Sequence, residues 1–96
     1  METQEELIRR MFVIIDARRW NRFDEVFTSD VEYHRPGYPR IIGIDHLKEF
    51  YADIRKVSCG RHEIYGFLAD SEKGACWGHF SGQNRSDEAI TEDFAE

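Results

Sequence analysis

The sequence predicts an α+β domain in which helices cover one face of a curved antiparallel sheet. Three observations predict it. Apolar residues recur at helical spacing ahead of Gly60, the period changes to two after it, and Gly66, Gly78 and Gly82 fall inside the predicted strands, where bends or bulges belong. The 96 residues are 41% hydrophobic and 14% aromatic, enough apolar material for one core in a single domain, 1–96.

Each element follows from local chemistry. Thr3 and Glu6 form a capping box that opens the first helix. Leu7, Met11, Ile14 and Ile15 recur on its inner face, and Ile8 and Phe12 widen the stripe, so the helix packs along a sheet. Asn21 caps a short second helix through Phe27, with Phe23, Val26 and Phe27 inward. After a turn at Thr28–Asp30, Val31–Arg35 alternates as a strand, which Pro36-Gly37 stops. Pro39 keeps the next stretch extended into a very short strand, Arg40–Ile42, ended by Gly43. Asp45 caps a third helix carrying Leu47, Phe50, Tyr51 and Ile54. Three strands then follow, Arg61–Ala69, Ala75–Asn84 and Glu88–Glu96, joined by turns at Asp70–Gly74 and Arg85–Asp87.

Bulk properties exclude several functions. The net charge of −6 argues against a nucleic-acid partner, which needs a basic face. Arg9-Arg10 and Arg18-Arg19 have acidic neighbours and read as a solvated helix face. No apolar run is long enough to cross a membrane, and the acidic start Met-Glu-Thr-Gln-Glu-Glu is unlike a signal peptide. Cys59 and Cys76 make no disulfide framework, so a reduced, cytoplasmic setting is expected. His34, His46, His62 and His79 lack metal-ligand spacing, and His46 and His62 read as exposed. Neither cysteine has an obvious histidine partner for nucleophilic chemistry. No metal or cofactor is expected.

The order α-α-β-β-α-β-β-β carries Phe27-Thr-Ser-Asp-Val31, Tyr33-His34-Arg35-Pro36-Gly37, Gly43-Ile-Asp-His-Leu-Lys-Glu-Phe-Tyr51 and the closing triplet Phe94-Ala95-Glu96. Together these resemble the nuclear transport factor 2-like superfamily, in its branch of SnoaL-like polyketide cyclases and ketosteroid isomerases. The resemblance implies a cone, open at one end, that holds a small apolar molecule. It also implies that a final long strand is absent here, through truncation, divergence or supply by a partner chain, and an open sheet edge of this kind predicts a homodimer.

Ungapped alignment with the isomerases implies that Trp77, His79 and Ser81 face the pocket from the middle hairpin strand, and Phe94 and Glu96 from the last. Glu96 matches the acid that stays protonated and donates to a developing oxyanion. His79 would act as general acid or base, oriented by Glu96. Tyr51 matches a pocket tyrosine, His34 and Arg35 lie at the rim, and Met11, Phe12, Trp77 and Phe94 supply walls. The plainer alternatives stay open: a frayed Glu96, a core histidine at His79, a core aromatic at Tyr51. Arg35 stands where the isomerase base belongs and Met11 where its oxyanion-hole tyrosine belongs, which removes that reaction. Two functions therefore remain: a cofactor-independent acid/base enzyme of isomerase, cyclase or hydratase type, or a non-catalytic binding or oligomerisation module. An inward His79 converging with Glu96 in an apolar cavity favours the first; an outward His79 favours the second.

Overall fold

The computed structural model describes residues 2–96. Helix α1, Gln4–Asp16, opens as its capping box predicts, with the Glu6 amide donating to the Thr3 hydroxyl at 3.1 Å. It buries Phe12, Ile14 and Ile15. Asn21 caps nothing: Trp20–Glu25 winds as a short 3₁₀ segment whose buried residue is Phe23. Strands β1 (Glu32–Tyr33) and β2 (Ile41–Ile42) pair antiparallel in a separate two-stranded sheet, with Pro36 and Pro39 in the loop between them. The N-cap of helix α2, Ile44–Glu49, is Gly43 rather than Asp45. Its φ of 94° turns the chain, and its amide reaches the Val31 carbonyl at 2.8 Å. Asp45 sits in the first turn, where its charge suits the helix dipole.

Helix α2 then takes up one extra residue. Phe50–Ile54 form a π-turn, closed by the Arg55 amide on the Phe50 carbonyl at 2.9 Å. Leu47, Phe50 and Tyr51 are buried as helical spacing predicts, but Ile54 is 51% exposed and Arg55, one residue further on, is only 3% exposed. The inserted residue exchanges an isoleucine for an arginine in the interior.

The main sheet has the order β3-β4-β5. Its strands are β3 (Val57–Ala69), β4 (Gly74–Asn84) and β5 (Ala89–Ala95), all antiparallel. Strand β3 starts ahead of the expected Arg61 and carries irregularities between Val57 and Cys59 and between Ile64 and Gly66. The register pairs His62 with Phe80, Glu63 with His79, and Gly78 with Phe94.

This register corrects the predicted face of β4. Cys76, Gly78 and Phe80 are buried, while Trp77 and Ser81 are exposed and His79 is half-buried on their side. Cys76 and Phe80, 1% and 4% exposed, are the apolar side chains that this strand buries. The Phe80 ring also lies over Gly60 and Gly82, where a β-carbon would collide with it. Trp77 does the same on the outer face, its indole lying across Gly66. His62, expected at an exposed strand start, is the inward residue of its pair with Phe80, since Arg61 and Glu63 take the outer face.

This assignment of faces predicts unequal costs. Phe80→Ala should lower unfolding free energy by about 3 kcal/mol or more in urea titration. Trp77→Ala should cost less than half as much, because 44% of Trp77 is already exposed.

Candidate functional site

The site is built where the end of α1 meets the inner face of β3. Asp16, the last residue of α1, accepts both the backbone amide of His62 at 2.8 Å and its ring Nδ1–H at 2.6 Å. Their side chains are 20% and 14% exposed. The carboxylate holds the imidazole with Nδ1 as donor, which leaves Nε2 as the acceptor of the neutral ring. Aromatic rings fix the imidazole plane: Phe12 stacks on it at 4.4 Å, with Phe80 at 4.8 Å and Phe94 at 5.2 Å.

His62 lines a cavity of about 50 Å³ together with Arg35, Tyr51, Arg55, Phe94 and Glu96, closed by Val57, Phe80 and Glu92. Two clefts share residues with it. One of about 190 Å³ is lined by Met11, Phe27, Tyr33, His34, Tyr51 and Glu96 among others. The other, about 330 Å³, runs past Arg35, Tyr38, Val57, Ile90 and Glu92. A wider groove of about 510 Å³ at Ile41, Ile42, Phe50 and Ile54 reaches none of these interior titratable groups, and its His46 contacts the Ile42 carbonyl at 2.9 Å.

Glu96 keeps part of its surface open, yet its backbone is tied to Cys76 by two hydrogen bonds of 2.8 Å, so it is not frayed. Burial raises its carboxyl above the usual glutamate range, against the opposing pull of His62 and Arg35. Tyr51 is buried, its hydroxyl donates to the Tyr33 hydroxyl at 3.3 Å, and burial pushes it well above the usual tyrosine range. It is a neutral donor at any ordinary pH. Burial likewise raises the Cys76 thiol, which suits a packing residue rather than a nucleophile.

Arg55 is the unexpected member. Its guanidinium lies over the Tyr51 ring at 4.9 Å, and its Nε is buried with no hydrogen-bond partner among the described residues. Leaving such a donor unmet costs about 1–3 kcal/mol. Its backbone is secured separately, because Arg85 donates to the Arg55 carbonyl at 2.8 Å and to that of Ala52 at 3.1 Å.

The structure therefore brings together Met11, Phe12, Arg35, Tyr51, Phe94 and Glu96 around one interior, keeps His34 exposed at the rim of the adjoining cleft, and leaves Trp77, His79 and Ser81 on the other side of the sheet. No His79–Glu96 pair forms: His79 Nδ1 lies 3.0 Å from Asp93, whose side chain is 90% exposed. His62, Asp16 and Arg55 are the residues that sequence reasoning missed. Alternation did contain His62, as it shares parity with Ile64 between two outward charges. Asp16 and Arg55 left no such signal, being a helix-end acid and a residue one place beyond the predicted stripe.

Residues 8–95 match the family model of the SnoaL-like domain, and the chain belongs to that family. Its fold is that of the nuclear transport factor 2-like superfamily. The crystal structure of an NTF2-like protein of unknown function from Exiguobacterium sp. 255-15 superposes with a TM-score of 0.71 at 20% identity, over 93% of this chain and 81% of that one. A Pseudomonas putida KT2440 protein described provisionally as a polyketide cyclase gives 0.76 at 16% identity, over 99% and 80%. At these identities the likeness is one of fold. No curated protein matches the sequence.

The Glu96 environment predicts a pH dependence. Its folded pKa lies above the unfolded one, so its contribution to stability is fully present below the ordinary glutamate pKa and is lost as pH rises through the raised value. Thermal melts across that window should show the decline in the parent protein and a flatter profile in Glu96→Gln. Equal slopes would place the carboxyl in solvent.

Proposed function

We propose that this SnoaL-like protein binds a small, largely apolar carbonyl compound between helix and sheet and moves a proton on it by acid/base chemistry. The Asp16–His62 pair facing Glu96 across a lined cavity carries this reading. His62 Nε2 would take or return the proton, and Asp16 would position the ring and stabilise its charged form. A protonated Glu96 would donate to the oxygen on which negative charge develops. This places His62 in the role expected of His79 and keeps Glu96 in its own. Reactions of this type include isomerisation, cyclisation and hydration next to a carbonyl, and the cyclase description of the Pseudomonas neighbour supports the class. Arg35 and Met11 stand in place of the isomerase base and tyrosine, so the proposed base sits elsewhere in the cone.

The second reading, a non-catalytic binding module, is favoured by one observation: the enclosed space is only about 50 Å³, and a ligand must extend into the adjoining clefts. Both readings include a homodimer.

The test is exchange of hydrogens α to the carbonyl for deuterium, followed by proton NMR across a series of small cyclic and aromatic ketones in D₂O. Catalysed exchange should fall about a hundredfold or more in His62→Gln and survive in His79→Ala. Asp16→Asn should lower kcat and displace the pH profile while KM changes little. Ketone binding without exchange, identical in parent and His62→Gln, would leave the binding module standing.

A further inference from the structure

We infer that Arg55, with Arg35, forms a subsite for a carboxylate group of the ligand, so that the molecule bound is a small organic acid with an apolar body. The inference deepens the proposed function and rests on the same cavity. Its basis is geometric. Arg55 is 3% exposed, lines the cavity, and carries a buried Nε with no partner among the described residues. Arg35 reaches the same cavity from the loop after β1, over the Phe50 ring at 5.7 Å. Neither arginine has an ion pair among the described residues, although Glu92 and Glu96 line the same space. Two guanidinium groups thus line one cavity, burial and then the neighbouring Arg35 lower the Arg55 pKa, and no fixed carboxylate neutralises either group at contact distance.

The surroundings select among anions. A guanidinium presents its donors as a planar fork, and a carboxylate matches that fork with two parallel bonds. Glu92 also faces the cavity, and its carboxylate disfavours a dianion such as phosphate or sulfate. A monocarboxylate meets one fork and adds one charge. With Glu96 holding its proton, that carboxyl becomes a donor toward the ligand rather than a competitor. His62 lies on the same cavity wall, so an acid anchored at Arg55 would present the carbon next to an adjoining carbonyl to Nε2.

The experiment titrates the parent chain with acetate, benzoate and phenylacetate, and with the matching uncharged amides, at constant ionic strength set by sodium chloride. It follows melting temperature and the Arg55 Nε–H signal by nitrogen-edited NMR. Carboxylates should raise the melting temperature and shift that signal, with amides binding about tenfold more weakly or less still. Arg55→Met should abolish the difference between acid and amide while melting, without ligand, at or above the parent temperature, because it removes a buried unmet donor. His62→Gln should keep carboxylate binding and lose only the proton exchange, which separates failure of this subsite from failure of the acid/base reading. The inference is overturned if chloride or sulfate produces the same shifts as carboxylates. It is also overturned if acid and amide bind alike, or if Arg55→Met melts far below the parent while the parent ignores every acid tested.

Discussion

The clamp between Asp16 and His62 is the contact on which the rest of the interior depends. One carboxylate takes a backbone amide and a ring nitrogen of the same residue, at 2.8 and 2.6 Å. That pair of hydrogen bonds joins the end of α1 to β3 and holds the His62 face of β3 inward. The antiparallel register then passes the decision along. His62 inside requires Phe80 inside across the pair, and Glu63 outside requires His79 outside. Strand β5 inherits the same parity, which brings Phe94 and Glu96 to the cavity.

The second constraint is the π-turn. A regular helix through residues 44–55 would bury Ile54 and complete an apolar stripe. The residue taken up between Phe50 and Arg55 puts a permanent cation there instead, at a cost in desolvation that the Tyr51 ring offsets only in part. Folding alone does not ask for this arrangement, because an apolar side chain of similar volume would pack with less penalty. In the proposed subsite, the π-turn serves the ligand that the cavity would hold.

These two features change the character of the pocket. The resemblance to ketosteroid isomerases implies an apolar cone, but the interior is a mixed surface in which aromatic rings surround two arginines, a histidine–aspartate pair, two tyrosine hydroxyls and two glutamates. Family membership and the fold leave the chemistry open, and the positions that differ from the isomerases are where the proposed function departs from theirs. In the ungapped alignment the base position of the isomerases is held by Arg35, which the proposed subsite would use to hold an anion, while His62 on β3 is the proton carrier of the proposed function.

The sequence by itself determined the element order, the capped first helix, the switch from helical to alternating period, and the family pattern. Those properties are local: a capping box, a hydrophobic period or a turn residue acts within a few positions of the chain. Only the tertiary structure decided which face of β4 is buried, that Asp16 meets His62 across 46 positions, and that Arg55 replaces Ile54 inside. Alternation sorts a strand into two sets but does not say which set is inner, and on β4 the polar set had the stronger family match while the apolar set had Phe80 to bury. A π-turn leaves no mark in residue spacing, because it is the packing of Phe50 and Tyr51 against the core that sets where the helix takes up its extra residue.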